Sequence, residues 1–194
     1  SNNLMAVKEY TVPDIAAQKT VTAKLYGYDD FQITWNSQTV KLNNGASQTL
    51  PVKYKVEYKK YSASKWTVAK SAATGTSYKK ANLSDGTRYA FRVTPYVTIN
   101  GRMYSGTAKT TSYQYTLKAT KKPVVKKSSS KYVKVSWSKV YGITGYKVYR
   151  SKYSSKNFKL VKTVKAGNLS TKIKTSKKVK YYYRVRPYKV VGKT

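Results

Sequence analysis

The sequence predicts an all-β chain of two tandem antiparallel sandwiches, and three observations carry that expectation. Apolar and polar side chains alternate with a period of two, the mark of strands with one face buried. The chain repeats itself, with an offset of 92 residues late in each half. Short apolar runs are separated by turn residues roughly every 8–12 positions. Apolar residues make up 40% of the 194, enough for a packed core. Ala and Leu are few, and no helix-length amphipathic segment occurs.

Taken in chain order, Leu4-Met5-Ala6-Val7-Lys8-Glu9-Tyr10-Thr11-Val12 reads as a spare strand ahead of the first repeat. Phe31, Ile33 and Trp35 alternate with Gln32 and Thr34, which predicts a strand that points Trp35 into a core. The stretch 36–50, rich in Asn, Gln, Ser and Gly, predicts a surface loop. Tyr54-Lys55-Val56 opens the next strand, and Tyr89-Ala90-Phe91-Arg92-Val93-Thr94-Pro95-Tyr96 forms a long one. Asn100-Gly101-Arg102 makes a turn, and residues 112–117 read as the closing strand.

The second copy retraces this path. Tyr146-Lys147-Val148 matches Tyr54-Lys55-Val56, Phe158 matches Trp66, and Tyr181-Tyr182-Tyr183-Arg184-Val185-Arg186-Pro187-Tyr188 matches 89–96, all at offset 92. Val133-Lys134-Val135-Ser136-Trp137 matches 31–35 at offset 102, so the first copy holds ten extra residues, assigned to the 36–50 loop. Gly192-Lys193-Thr194 falls on the turn at 100–102, so the second copy is expected to lack its last strand and to leave a sheet edge open. Lys118-Ala119-Thr120-Lys121-Lys122-Pro123 carries no alternation, and its proline suits the start of an edge strand. The expected organisation is an N-terminal extension at 1–11, a first domain at 12–117 and a second at 118–194.

Trp35 on a second strand, Tyr54 and Val56 on a third, and Leu83-Ser84-Asp85-Gly86-Thr87-Arg88-Tyr89-Ala90-Phe91-Arg92-Val93 resemble a fibronectin type III domain. The resemblance covers roughly 20–117 and 121–194. It implies two tandem fibronectin type III-like (immunoglobulin-like) β-sandwiches, the second lacking its last strand. It also implies a turn-closing role for Leu83 and the tyrosine corner for Tyr89. In the second copy Trp137, Tyr146, Val148 and Tyr181 match, with Ile173 or Val179 in place of the turn leucine. Without a cysteine pair, the chain is closer to this family than to true immunoglobulin domains. Lys- and Tyr-rich versions without cysteine look like modules of secreted and surface proteins of Gram-positive bacteria, which implies an extracellular or cell-surface location.

The side-chain inventory argues against catalysis. With no Cys and no His, there are no disulfides, no thiol chemistry, no zinc site of the usual Cys/His kind and no nucleophile–His triad. The acidic residues are Glu9, Asp14, Asp29, Asp30, Glu57 and Asp85, so no carboxylate follows Asp85. Asp29 and Asp30 are neighbours whose side chains would face opposite ways on a strand, and they read as a turn rather than an acid–base pair. Gly192-Lys193-Thr194 imitates the end of a phosphate-binding loop, but the earlier glycine position holds Pro187. The Asn82 and Asn168 sequons matter only in a eukaryotic secretory route. No enzyme activity, cofactor or metal site is expected, and no apolar run is long enough to span a membrane as a helix.

Charge is the strongest compositional signal. The chain carries 40 basic and 6 acidic residues, a net charge of +34; residues 118–194 hold 24 of the basic residues and none of the acidic ones. A small soluble domain usually carries a net charge of about 2–8 in magnitude. If Tyr181, Tyr183 and Val185 point inward, then Tyr182, Arg184, Arg186 and Tyr188 point outward beside Lys147 and Tyr149, forming a basic, aromatic face. A solvated sheet face is the competing reading. The weaker counterpart in the first copy is Lys55, Glu57, Ala90, Arg92, Thr94 and Tyr96. Trp35 and Trp137 are assigned to cores, and Trp66 and Phe158 are expected to be buried as well rather than to form stacking platforms.

The expected partner of this face is an anionic polysaccharide or cell-wall polymer, with host glycan or protein as further candidates. The alternatives are nucleic-acid binding or service as an accessory module of a larger secreted enzyme. Only six of the basic residues are Arg. Reading of base edges favours the Arg fork, so nucleic-acid binding of this kind would be non-sequence-specific. The spare strand at 4–12 and the open edge together suggest head-to-tail self-association by strand donation.

Overall fold

The computed structural model describes residues 13–43, 47–176 and 179–190. Among them every regular element is a strand. The first repeat contains β1 (Val21–Tyr26), β2 (Asp30–Trp35), β3 (Val40–Asn43), β4 (Ser47–Leu50), β5 (Lys53–Lys60), β6 (Thr67–Ala73), β7 (Ser77–Lys80), β8 (Arg88–Ile99), β9 (Arg102–Ser105), β10 (Lys109–Thr110) and β11 (Gln114–Tyr115). One sheet runs β1-β2-β7; the other runs β10-β8-β5-β6, with β9 and β11 also on β8. The second repeat contains β12 (Val124–Lys127), β13 (Tyr132–Ser136), β14 (Gly145–Ser151), β15 (Lys159–Lys165), β16 (Ser170–Lys174) and β17 (Tyr182–Tyr188). Its sheets run β12-β13-β16 and β15-β14-β17. Both repeats therefore have the strand order of a fibronectin type III-like sandwich. Among the described residues the second has no strand outside β17.

The repeated Trp and Tyr explain the cores. Trp35 ends β2 and meets Tyr54 of β5 with ring centroids 5.5 Å apart; Trp137 meets Tyr146 of β14 at 5.2 Å. The interplanar angles, 54° and 55°, are the same within a degree. Each Tyr hydroxyl also accepts a backbone N–H three residues past its Trp, Gln38 N at 2.8 Å and Val140 N at 2.9 Å. Alternation thus buries a large ring while its polar tip caps the turn that leaves the strand. In the second repeat Val135, Val148, Val164, Ile173 and Val185 close around this pair. Ile173 therefore fills the core from within β16 rather than closing the turn after it.

Three local expectations need correction. The stretch 36–50 is not a plain loop: β3 and β4 pair as a hairpin, Val40 opposite Leu50. Val40 is buried with Ile15 and Val97, with Leu50 and Val52 against them, so the inserted residues add a small core of their own. The closing strand of the first repeat is split into β10 and β11 on the edge of β8. Between them Thr111 donates its N–H to the Phe91 carbonyl (2.8 Å), and its hydroxyl accepts the Phe91 N–H (3.1 Å), so a side chain substitutes for one rung of the ladder. Trp66 and Phe158 are half-buried and lie beneath guanidinium groups, as described below, not in the cores.

Two compact units emerge among the described residues, one of 13–23, 33–78 and 89–113, the other of 24–32, 79–88 and 114–190. In the second unit Gly27, in the left-handed region at φ 85°, exchanges two 2.8 Å backbone hydrogen bonds with Lys189. The free edge of β17 belongs to this unit too, and there the Val185 carbonyl accepts the Thr120 hydroxyl at 2.9 Å. The spare strand at 4–12 and the motif at 192–194 lie outside the described residues.

Candidate functional site: a cation–aromatic sheet face

The pairing of β14 with β17 places all six predicted residues on one sheet face. Lys147 stands opposite Arg186, Tyr149 opposite Arg184, Gly145 opposite Tyr188 and Ser151 opposite Tyr182. Directly opposed residues in an antiparallel pair share a face. The intervening residues point the other way: Val185 and Pro187 are buried, and Tyr183 packs against the core. Tyr181 precedes β17 and carries the Arg150 guanidinium 4.3 Å above its ring.

Aromatic rings position the cations on this face. The Arg184 guanidinium lies 3.9 Å over Phe158, and its Nη2 donates to the carbonyls of Ser155 (3.3 Å) and, more weakly, Ser154 (3.5 Å). Phe158 is delivered by Asn157, whose φ of 57° is a left-handed conformation that Asn adopts more readily than most residues. Lys147 Nζ sits 5.2 Å over Tyr188, and the Arg186 guanidinium 5.2 Å over Tyr28. Such contacts contribute about 0.5–1 kcal/mol each at exposed sites. Lys147 and Arg186 are nevertheless like charges directly opposed across the strand pair, an arrangement that destabilises a sheet.

The corresponding face of the first repeat is neutralised from within. Arg92 matches Arg184 and lies 4.5 Å over Trp66, the counterpart of Phe158. Opposite Arg92, however, stands Glu57, which accepts two hydrogen bonds from it, Nε at 2.7 Å and Nη2 at 3.1 Å. Lys55 approaches the same carboxylate at 3.6 Å. Burial opposes the charge on Glu57, but the Arg92 hydrogen bonds and the two cations outweigh it and hold the carboxyl below its ordinary range. In the second repeat Tyr149 occupies the Glu57 position, and no acidic residue exists anywhere in 118–194.

Beside Arg184 and Arg186 the second unit has a cleft of about 800 Å³, lined by Tyr28, Asp85, Lys122, Phe158, Lys180 and Tyr182 among others. The Tyr28 hydroxyl donates to Asp85 at 3.0 Å, and the Ala119 N–H reaches the same oxygen at 3.4 Å. Burial first, then the bond to Asp85 and its charge, push the Tyr28 hydroxyl above its ordinary range. Asp29 also lines the cleft, and burial followed by the neighbouring Asp30 raises its carboxyl. Asp30 itself has a structural role, paired with Lys79 at 2.7 Å and accepting the Asn82 N–H. No alternation or repeat offset links Tyr28, Asp29 and Asp85 to the basic face, so their place beside it emerges only from the fold.

No family model matches the chain, and no curated protein does either. Among solved structures it is similar to the FN1–FN3 domains of chicken CNTN1, at 20% identity over 93% of this chain and 64% of that one, with a TM-score of 0.46. It is also similar to a segment of two fibronectin type III domains from chicken tenascin, at 17% identity over 89% of this chain and 91% of that one, with a TM-score of 0.41.

Proposed function

We propose that this chain is a non-catalytic binding and spacer module of an extracellular surface protein of a Gram-positive bacterium, and that the β14–β17 face of its second repeat holds an anionic cell-wall polymer or acidic glycan. The observation that supports the reading is the difference between the repeats. Both stack an Arg on an aromatic ring, but only the first supplies a carboxylate to satisfy it. A cluster of Lys147, Arg184 and Arg186 flanked by Tyr149, Tyr182 and Tyr188 suits a linear polyanion, whose charges meet the cations while its rings lie on the aromatic faces. A chain without Cys or His offers that face no thiol and no imidazole for nucleophilic or acid–base chemistry.

The test compares charge reversals of equal size on the two sheets of the second repeat. Lys134 and Lys172 are exposed and opposed on β13 and β16, away from the proposed face. Binding of immobilised teichoic acid, polyuronate and poly(dT) is measured at two salt concentrations. The Arg184→Glu/Arg186→Glu variant should lose about tenfold or more in affinity, and Lys134→Glu/Lys172→Glu only about two- to threefold. Equal losses would show that net charge, and not this face, does the binding. Preference for poly(dT) over both polymers would favour nucleic acid instead.

A further inference from the structure

The two repeats contain the same Arg–aromatic pair in two chemical conditions, and the first shows what the second is built to receive. Glu57 presents a carboxylate edge-on to the Nε and Nη2 of Arg92 while Trp66 covers the guanidinium face. This is fork-to-fork geometry, in which a planar guanidinium gives two parallel hydrogen bonds to a planar oxyanion. Arg184 has the same stack on Phe158 and the same place in the strand pair, opposite Tyr149 instead of a carboxylate. The bonds from its Nη2 to Ser154 and Ser155 fix the group from one side and are long.

Resting on the polyanion reading above, we infer that Arg184, backed by Phe158 and flanked by Tyr149 and Tyr182, is a carboxylate-binding subsite that selects uronate-type acidic sugars from among polyanions. Arg186 is less suited to the task, because it lies over Tyr28 and its charge is already engaged by the neighbouring Asp29. A carboxylate is planar and matches the Arg fork as Glu57 does in the first repeat, whereas a phosphate or sulfate can be held by Lys as a point charge. Phe158 keeps the guanidinium in one plane, so the ordering that bidentate recognition requires is already present in the free protein.

The probes are a galacturonate hexasaccharide, its methyl ester and a polyphosphate chain of similar charge, each titrated calorimetrically at about 150 mM salt, near physiological ionic strength. The acid should bind the wild-type protein at least about tenfold more tightly than its ester. Tyr149→Glu should supply an internal carboxylate to Arg184, as Glu57 does to Arg92, and weaken the acid by about tenfold while changing polyphosphate by no more than about twofold. Arg184→Lys, which keeps the charge and disturbs folding least, should show the same selective loss. If either variant binds the acid like wild type, or weakens polyphosphate as much as the acid, the carboxylate subsite is wrong and the polyanion reading stands. If wild type binds neither polymer, both fall.

Discussion

Glu57 and Tyr149 occupy equivalent places in the two repeats, and the exchange of one for the other changes how each repeat responds to pH. The Glu57 carboxyl is held below its ordinary value of 4.5, so it stabilises the fold above that value and loses this contribution as pH falls through its depressed one. Glu57→Gln should therefore cost about 1–2 kcal/mol near neutrality, and the difference from wild type should vanish in acid, where both states of the wild-type group are protonated. Asp29 has the opposite sign. Its raised value means that ionisation costs the fold stability as pH climbs from the ordinary 3.8 through the raised one. Asp29→Asn should melt higher than wild type at neutral pH and alike in acid. Thermal melts of the three proteins across pH check both, and parallel curves would contradict both assignments. Little of this was legible in the sequence. Alternation identified Trp35 and Trp137 as core residues because it sets a side chain's face, but it is silent on the partner across the sheet. Glu57 and Arg92 are 35 residues apart and meet only through the β5–β8 register.

At the scale of elements, the strands that carried strict alternation were readable and the irregular ones were not. The 36–50 insert looked like a loop because Asn, Gln and Ser dominate it. Yet Val40 and Leu50 lie opposite each other and bury against Ile15 and Val97, contacts that become apparent only when the chain has folded back. Phe158 and Trp66 were misplaced for a related reason: an aromatic ring at a strand entry is drawn to whichever cover is nearest, and here that is a guanidinium. One element-level constraint can be tested directly. A Cβ at Gly145 would press into the Val164 carbonyl and the Tyr188 ring, so the bare backbone of β14 lets Tyr188 lie across it within reach of Lys147. Gly145→Ala should destabilise the second repeat by about 1–3 kcal/mol and weaken polyanion binding by displacing Tyr188. Gly167, whose added Cβ would meet nothing, is the control; Gly167→Ala should change stability by less than about 0.5 kcal/mol. If the two variants melt together, the close approach at Gly145 is not a constraint.

For the molecule as a whole, repulsion among like charges should dominate the electrostatics, and this sets the sign of its salt dependence. The close ion pairs Lys79–Asp30 and Arg92–Glu57 would weaken as salt rises. Against them stand 40 basic residues and 6 acidic ones, with like charges such as Lys147 and Arg186 or Lys134 and Lys172 set directly opposite each other. Screening should relieve more repulsion than it removes attraction, so the melting temperature should rise between about 0.02 and 0.5 M sodium chloride as the Debye length shrinks from about 20 Å to about 4 Å. A polyanion that binds the folded chain should stabilise it further at low salt, by about 2.7 kcal/mol at a hundredfold excess over its dissociation constant. That increment should decline as salt rises, because the same counterions compete for the same cations. Arg184→Glu/Arg186→Glu relieves the repulsion with Lys147 but sets a carboxylate beside Asp29 and Asp85. At low salt it should therefore raise the melting temperature less than the Lys134/Lys172 reversal does, while reducing the increment from polyanion. Lys134→Glu/Lys172→Glu should raise it and leave the increment largely intact. This divergence separates a site from a field: both variants remove four units of charge, but only one removes the cations held over Phe158 and Tyr28. A melting temperature that falls with salt in the wild-type protein would mean that its few ion pairs outweigh the excess charge, and the electrostatic basis of the proposed binding would fail with it.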